Sequence, residues 1–503
     1  MAIPGNQSNQ RRQLEALYLK LNDAIERGRP ETALAKLKQL QPKRPRDINI
    51  LTLMARANAR MGRHKETIEA YQKASALAPK DADLHFKLAL ALQRGGRYQE
   101  ALTEYERALY YDPAHFHAQR HKSSVLTDLD RLDEAEAALD KLVAHGGDID
   151  ADQRLGLAIS AARFAPRRRD ARECIAGIER HIDEAQEIGL RTAGYYQMGR
   201  LHQHLGQHDE AFACFRGFKE IEKTDWDYEE HSRRVDRLIE CWTGEPKIPL
   251  SGVDGSRLIF IVGMMRSGTS LTEQMLAQVE GLTPGGELNA ISRQIPSDEK
   301  TSMSRGRPLP VERSLYTRTT LSRMANAAMK WYDRVSREGF VTDKQPYNHP
   351  YVPLIAHMFP GCKIIHTMRD PLDCCLSNYA QHFSRPHTQT HDLYWLGRYY
   401  ADYERMMDAW RTLDEVEMID LQYEELVSNP EIQSRRVLDF LGIAWSEDIL
   451  RFHESDRTVA TASRDQVRQP MYTSSVQKYK PYEQHLDELK RGLAEGRARP
   501  HGG

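Results

Sequence analysis

The chain has 503 residues, a length that predicts two or three domains rather than one. Its 71 basic and 72 acidic residues give a net charge of −1, so there is no overall basic excess of the kind that favours nucleic acid as a partner. No apolar run approaches the ~18 residues that a membrane span requires. The six cysteines have no C-x-x-C spacing, which is typical of reduced thiols in a cytoplasmic protein.

The N-terminal half contains a pattern that repeats every 34 residues. The segment beginning at Gly62 resembles the one beginning at Gly96, and Pro79 and Pro113 keep the same offset. Small residues allow paired helices to approach, aromatic residues fill the space between pairs, and a proline ends the second helix. The recurring positions are Ala33, Thr67, Ala101 and Ala135, and Leu37, Tyr71, Tyr105 and Leu139.

This unit resembles the tetratricopeptide repeat, in which two helices form each repeat. The resemblance implies an all-α solenoid of about six helix pairs over residues 10–242. Stacked repeats leave a concave groove that suits an extended peptide or a partner protein. A scaffold or dimerisation surface with no peptide in the groove explains the pattern equally well, and both alternatives stay open.

The second half predicts an α/β domain. Residues 243–256 are rich in turn residues and predict a linker, followed by a domain over 257–490 and a disordered tail over 491–503. Apolar segments then alternate with helical patterns, which predicts a P-loop-like parallel sheet flanked by helices. The strand segments begin at Leu258, Gly339, Lys363 and Val416.

The turn after the first strand predicts an anion site. It consists of Arg266, Ser267, Gly268, Thr269 and Ser270, and it leads into a helix whose first amides and positive dipole end would face a phosphate. A Walker loop has lysine just before its final serine or threonine. Thr269 takes that place here, and Arg266 is the nearest cation. One alternative is therefore a kinase or a nucleotide-binding scaffold with an altered Walker motif.

A second anion site is predicted at the end of a later strand. Arg369 follows the strand Lys363–Met368, and Ser377 lies eight residues further on. A guanidinium and a hydroxyl at these places can hold a second phosphate, whereas an ion pair of Arg369 with Asp370 or Asp373 is the structural alternative. Two anion sites on one sheet predict a nucleoside ligand with phosphates at both ends.

With these motifs in this order, residues 258–482 resemble the sulfotransferases, in particular the protein-tyrosine sulfotransferase branch. These enzymes use 3′-phosphoadenosine 5′-phosphosulfate (PAPS) as the sulfuryl donor. The resemblance implies that the turn from Arg266 to Ser270 holds the 5′-phosphosulfate. It also implies that Arg369 and Ser377 hold the 3′-phosphate.

The resemblance implies further roles at shorter motifs. Glu287 would be the catalytic base, and Lys344 would neutralise the leaving group. Tyr423 would lie beside the adenine, Ser463 would belong to a segment that closes the site, and Lys478 would contact the donor. The alternatives are a helix cap for Glu287, a solvated loop lysine for Lys344 and a packing role for Tyr423.

The residue chemistry agrees with sulfuryl transfer on grounds of charge. Arg266, Lys344 and the turn amides can stabilise negative charge that develops on a leaving phosphate, and Glu287 can accept the proton of an acceptor hydroxyl. No residues have the spacing of a metal site. The sequence therefore predicts a metal-independent, PAPS-dependent sulfotransferase. Its acceptor would be a protein or peptide held by the repeats, with a carbohydrate or a small molecule as alternatives.

Overall fold

The computed structural model describes residues 4–144, 149–165, 168–223, 226–295, 312–383, 387–454, 471 and 474–499, with side chains from residue 12 onward. The chain divides into two compact units, Met1–Gly206 and Gln207–Gly503. Within the described ranges, no helix combines the length and the apolar character needed to cross a membrane.

The first unit consists of helices that pack against their neighbours in sequence. The small and aromatic residues that define the repeat lie in its interior, and Ala101, Tyr105 and Ala135 are fully buried. The helices are α1 (Pro4–Glu26), α2 (Pro30–Leu40), α3 (Ile48–Arg60), α4 (His64–Leu77), α5 (Ala82–Arg94), α6 (Tyr98–Tyr111), α7 (Phe116–Asp128), α8 (Leu132–Ala144), α9 (Ala151–Ala162), α10 (Ala171–Ile182) and α11 (Ile188–His204).

Turn and cap residues set the limits of these helices. Asp47 and Asp81 accept hydrogen bonds from the first amides of α3 and α5, which satisfies donors that a helix start leaves unpaired. Gly62 and Gly96 have φ angles of 64° and 75° in the turns that follow α3 and α5, a conformation that favours glycine. The predicted tetratricopeptide solenoid is confirmed.

The second unit contains a parallel five-stranded sheet in the order β2-β3-β1-β4-β5. The strands are β1 (Leu258–Gly263), β2 (Leu282–Pro284), β3 (Phe340–Asp343), β4 (Lys363–Met368) and β5 (Met418–Gln422). The helices are α12 (His208–Glu222), α13 (Tyr228–Thr243), α14 (Thr269–Leu276), α15 (Arg318–Val335), α16 (Val352–Met358), α17 (Pro371–Tyr379), α18 (Leu393–Arg411), α19 (Tyr423–Ser428), α20 (Pro430–Leu441) and α21 (Asp487–Arg497).

The central strand explains why the sequence pattern of this sheet is strong. Every residue of β1 is buried, because β1 pairs with β3 on one side and with β4 on the other. Ile259, Ile261 and Ile365 share one apolar cluster with Met275 of α14. The predicted α/β domain with a parallel sheet is confirmed, and β2 is an additional short strand that the sequence did not reveal.

Helices α12 and α13 lie in the second unit, although the sequence pattern assigns them to the repeats. The ammonium group of Lys219 in α12 donates hydrogen bonds to the Gln381 carbonyl oxygen at 3.2 Å and to Thr390 Oγ1 at 3.0 Å. Ser232 of α13 donates to the buried Asp402 at 3.1 Å. These polar contacts depend on the loops of the sheet unit, so the 34-residue pattern could not predict them.

The predicted disordered tail over 491–503 is wrong for its first part, because α21 continues to Arg497. Glycines allow α21 to approach α18 closely: a Cβ atom on Gly492 would lie 2.0 Å from the Tyr394 carbonyl oxygen, and one on Gly397 would overlap the α21 backbone. The glycines thus serve packing rather than flexibility, which only the partner helix reveals.

Candidate active site

Each of the five strands leads into a predicted site residue at its carboxyl end. Strand β1 leads to the turn that contains Arg266, and β2 to Glu287. Strands β3, β4 and β5 lead to Lys344, Arg369 and Tyr423. Because parallel strands share one carboxyl edge, these side chains meet where α/β sheets bind their ligands.

The turn after β1 is tightly enclosed. A Cβ atom on Gly263 would lie 2.5 Å from the Thr367 carbonyl oxygen, and one on Gly268 would lie 2.8 Å from Tyr423 Cδ2. Arg266 has a φ angle of 68°, a strained value for a residue with a side chain. Helix α14 begins directly after Gly268 without a side-chain cap, and the first amides of a helix are groups that can bind an anion.

Hydrogen bonds from β4 and α17 hold this turn in place. Cys374 Sγ and Asn378 Nδ2 both donate to the Met265 carbonyl oxygen, at 3.2 and 2.8 Å. Ser267 Oγ lies 2.7 Å from Thr367 Oγ1, and the Ser267 amide donates to a carbonyl within the turn. Ser267 therefore supports the turn through both its hydroxyl and its amide.

The two predicted anion motifs meet at this edge. Arg266 Nε donates to Ser377 Oγ at 2.9 Å. Arg369 Nη1 donates to the Arg266 carbonyl oxygen at 3.0 Å, and Nη2 donates to the Ser475 carbonyl oxygen at 2.7 Å. Arg369 Nε is buried, and no group of the described residues accepts a hydrogen bond from it. Because a buried unpaired N–H group is costly, it marks a position for an acceptor atom.

Asp373, in the first turn of α17, has a second role besides its ion pair with Arg369. Its carboxylate lies 4.0 Å from the Arg369 guanidinium, and its short hydrogen bonds come from the amides of Gln477 and Tyr479, at 2.7 and 2.8 Å. Burial raises the pKa of Asp373, although these amides oppose the shift. These hydrogen bonds hold the segment from Gln477 to Tyr479 next to Arg369. The segment carries Lys478, whose side chain is exposed.

Tyr423 joins the two anion motifs. Its ring lies against Gly268 of the first motif, and the Arg369 guanidinium lies 4.8 Å from the ring centroid. A cation over an aromatic face is attracted electrostatically. Tyr423 therefore packs between groups that the sequence assigned to the two ends of one ligand.

Lys344 and Glu287 form an ion pair in which Lys344 Nζ donates to Glu287 Oε1 at 2.7 Å. The lysine side chain is 1% exposed and the glutamate side chain is 46% exposed, so the alternative of a solvated loop lysine is wrong. The helix-cap alternative for Glu287 is also wrong, because the next helical turn is the 3₁₀ segment Ser292–Gln294 and Ile291 is its N-cap.

Glu273 of α14 positions the segment before Glu287, and sequence reasoning missed it. Glu273 Oε1 accepts hydrogen bonds from the Gly286 amide at 2.8 Å and from Thr342 Oγ1 at 2.9 Å. The Lys344 amide donates to the Gly286 carbonyl oxygen at 2.9 Å. The helical pattern of α14 does not distinguish a glutamate on the protein surface from a buried one. It therefore could not predict that Glu273 contacts two strand ends.

Asp343 is a buried carboxyl group directly before Lys344. Tyr332 donates its phenolic hydrogen to Asp343 Oδ2 at 2.9 Å. Burial raises the pKa of Asp343 to about 8, against the opposing effects of Tyr332 and Lys344. Asp343 is therefore protonated at neutral pH, and the positive charge of Lys344 is directed to Glu287.

The remaining sequence predictions concern Ser463 and the absence of a metal site. Ser463 lies outside the described residues, so its role stays a prediction. Among the residues with described positions, no group of three or more His, Cys, Asp or Glu side chains is placed to hold a metal ion.

Family models match both halves of the chain. A model described as the sulfotransferase family matches residues 258–447. Tetratricopeptide repeat models match residues 86–152 and 193–225, and a bacterial transcriptional activator domain model matches residues 43–111.

The chain is similar to several curated proteins. It is 33% identical over 318 residues to an uncharacterised protein of Aquifex aeolicus strain VF5, covering 61% of this chain and 42% of that protein. It is 25% identical over 235 residues to protein-tyrosine sulfotransferase A of Caenorhabditis elegans, covering 44% of this chain and 61% of that protein. It is 24% identical over 239 residues to protein-tyrosine sulfotransferase 2 of Gallus gallus, covering 44% of this chain and 62% of that protein. The chain thus spans less than two thirds of the length of each.

Similar solved structures cover the helical half. A thermophilic tetratricopeptide repeat protein of Thermus thermophilus is 19% identical with a TM-score of 0.31, covering 37% of this chain and 98% of that one. The Pseudomonas aeruginosa protein pilF is 17% identical with a TM-score of 0.31, covering 41% of this chain and 90% of that one.

Proposed function

We propose that the chain transfers a sulfuryl group from PAPS to an acceptor hydroxyl, a proposal supported by the match of its C-terminal half to a sulfotransferase family model and of its N-terminal half to tetratricopeptide repeat models. The observation that carries the proposal is the arrangement at the sheet edge. Two arginine-containing anion motifs are in direct contact there, and a buried lysine is paired with a half-exposed glutamate on the neighbouring strand ends.

The residues at this edge suit a nucleotide with phosphates at both ends. The start of α14 and Arg266 would hold the 5′-phosphosulfate, since a helix N-terminus and a guanidinium both favour an anion. Arg369 offers its buried Nε, which is unpaired among the described residues, and would hold the 3′-phosphate together with Ser377. Tyr423 contacts both motifs and would lie along the nucleoside.

The ion pair of Lys344 and Glu287, just after β3 and β2, would act on the groups that react. PAPS supplies a sulfuryl group that is already activated by its bond to a phosphate oxygen. Lys344, 1% exposed, would stabilise the negative charge that remains on that oxygen, because a buried cation acts strongly where water is excluded. Glu287 is exposed enough to meet an acceptor and would take the hydroxyl proton as a general base.

We propose a peptide or protein as the acceptor, with the repeat unit as its binding surface. Stacked helical repeats provide an extended surface, and two relatives named protein-tyrosine sulfotransferases support a phenolic hydroxyl on such a peptide. Lys478, which follows Gln477 on the segment fixed by Asp373, would contact the donor.

Ligand binding to the whole chain tests the nucleotide assignment. We expect adenosine 3′,5′-bisphosphate, the product of the proposed reaction, to raise the thermal unfolding midpoint in the absence of Mg²⁺, because a ligand that binds only the folded state stabilises it. ATP should have little effect with or without Mg²⁺. Stabilisation by ATP and Mg²⁺ alone would overturn the proposal in favour of a kinase-type site.

Replacing Arg369 separates the two ends of the nucleotide. We expect Arg369→Ala to weaken adenosine 3′,5′-bisphosphate binding by roughly tenfold or more, the loss of one charge-assisted contact, and to weaken adenosine 5′-monophosphate binding much less. Isothermal titration calorimetry measures both. Arg435→Ala removes an arginine paired with Glu431 on α20 and is the matched control. Equal losses for the two nucleotides would contradict the 3′-phosphate assignment.

A further inference from the structure

Buried aromatic side chains connect helix α18 to the strand-end segments of the candidate site. The Tyr400 hydroxyl donates to the Arg369 carbonyl oxygen at 2.8 Å, and Trp410 Nε1 donates to the His349 carbonyl oxygen at 3.0 Å. Both aromatic side chains are buried. Because a phenylalanine would fill the space of the Tyr400 ring, packing alone does not require its hydroxyl. That hydroxyl contacts the segment that carries the second anion motif.

Tyr403 lies one helical turn after Tyr400 and reaches the first anion motif. Its hydroxyl contacts His366 Nε2 on β4. Burial raises the pKa of Tyr403 well above its usual value, and a hydrogen bond from the Met264 backbone opposes this shift. Tyr403 is therefore a neutral phenol that accepts a hydrogen bond from the Met264 amide. Met264 is the first residue after β1, at the start of the turn that carries the first anion motif.

A buried chain of hydrogen bonds fixes the direction in which Tyr403 donates. His366 Nδ1 lies 2.7 Å from Asp420 Oδ1 on β5, closer than the Arg411 guanidinium at 3.2 Å. Burial lowers the pKa of His366, although Asp420 opposes the shift. A neutral imidazole whose Nδ1 hydrogen faces a carboxylate accepts at Nε2. The Tyr403 hydrogen therefore goes to His366, which leaves an oxygen lone pair for the Met264 amide.

The two tyrosine hydroxyls of α18 thus meet the backbone of both anion motifs. Tyr403 contacts the residue after β1, and Tyr400 contacts the residue after β4. Their ring centroids are 5.4 Å apart, and both residues belong to one turn of a helix, whose hydrogen bonds keep the spacing of its side chains nearly constant. A single rigid element therefore holds the distance between the motifs.

We propose that Tyr400 and Tyr403 are positioning residues that hold the two anion motifs at the separation required by a nucleoside with phosphates at both ends. Each acts through a backbone group, Tyr403 through the Met264 amide and Tyr400 through the Arg369 carbonyl oxygen. A ligand held at two points binds more tightly when both points are already in place, because binding then does not have to order them. The inference rests on the proposed function only for the identity of the nucleotide.

Calorimetric titration of tyrosine-to-phenylalanine variants of the full chain tests this inference. The ligands are adenosine 3′,5′-bisphosphate and adenosine 5′-monophosphate, which lacks the phosphate for the second motif. We expect Tyr400→Phe to weaken bisphosphate binding by roughly three- to tenfold, the loss of one hydrogen bond, and monophosphate binding by less than about twofold. Tyr403→Phe should weaken binding of both nucleotides, because Met264 lies in the turn of the first motif.

Tyr228→Phe is the matched control. Tyr228 is a buried tyrosine of α13, and its hydroxyl lies 3.5 Å from Ser232 Oγ and 3.4 Å from Arg398 Nε, two residues that belong to neither anion motif. This variant should bind both nucleotides like the parent. Equal losses in all three variants, or equal losses of the two nucleotides in Tyr400→Phe, would overturn the proposal, because a general loss of packing affects both ligands alike.

Hydrogen–deuterium exchange of the chain without nucleotide makes the result independent of the proposed function. We expect Tyr403→Phe to speed exchange in peptides that cover residues 259–271, because the Met264 amide loses its acceptor. Tyr400→Phe should speed exchange over residues 369–377, and Tyr228→Phe should change neither segment. Unchanged exchange in both segments would overturn the positioning role. If the parent fails to bind the bisphosphate while these changes in exchange are present, the proposed nucleotide site is refuted and the positioning role is supported.

Discussion

The repeat unit and the sheet unit bring interacting groups together in different ways. Arg120 lies between helices α7 and α9, which are close in sequence and pack as parts of a repeating array. Arg369 meets carbonyl oxygens that are 103 and 106 residues away in sequence. Local packing in the repeats thus joins helices that are neighbours in sequence, whereas the parallel sheet collects chemical groups from the whole domain at one edge.

This difference separates binding from chemistry. Under the proposed function the repeat unit binds the acceptor, so substitutions on its surface should change acceptor affinity only. The sheet edge combines a cation and a carboxylate at hydrogen-bond distance, so substitutions there should change turnover. Three predictions test this division in the sheet unit, in order of expected size.

The largest effect is expected for Glu287→Gln. The variant keeps an oxygen that can accept the bond from Lys344 but cannot accept a proton, so kcat should fall by roughly 10²- to 10⁴-fold, the usual contribution of a general base. Release of adenosine 3′,5′-bisphosphate from PAPS, in the presence of a pool of tyrosine-, serine- and threonine-containing peptides, measures turnover without assuming the acceptor. Glu280→Gln, an exposed glutamate just before β2, is the control. A kcat within twofold of the parent would refute the role of Glu287 as base.

A smaller effect is expected for Glu273, which holds the segment before Glu287 without touching the reacting groups. Glu273→Ala should lower kcat by about tenfold through loss of alignment, with the KM for PAPS nearly unchanged. Glu273→Gln retains an acceptor oxygen for the Gly286 amide and should recover most of the activity. If the two variants lose activity equally, or if KM rises while kcat stays constant, Glu273 does not act by positioning the base.

The smallest effect is expected on stability, through Asp343. Burial raises the pKa of Asp343 to about 8 in the folded chain, while an unfolded aspartate has a pKa of about 4. The folded state therefore binds one more proton between these values, so this contribution to stability is complete below about pH 4 and is lost as pH rises towards about 8. Asp343→Asn carries no titrating group and should weaken the pH dependence of the unfolding midpoint between about pH 5 and pH 8. An identical pH dependence in parent and variant would contradict a protonated Asp343.

Several elements of the site could be predicted because their signals are local. An unbroken apolar run, followed by small residues and then by a helical pattern, predicts a buried strand, a turn and a helix. This pattern placed Arg266 and Arg369 at strand ends. Strand β2 has only three residues, too few for a pattern. Glu273 and Asp343 escaped notice because what makes them unusual is burial among partners that are distant in sequence.

The sequence by itself determined the 34-residue helical repeat, the alternation of strands and helices, and the polar residues that follow each strand, since hydrophobic periodicity and turn chemistry act over short stretches of chain. Only the tertiary structure decided that Ser377 bonds to Arg266 and that Lys344 is buried against Glu287. The reason is physical: a hydrogen bond or an ion pair forms between groups that the packing of strands and helices brings within about 3 Å, and distance along the chain does not report that packing.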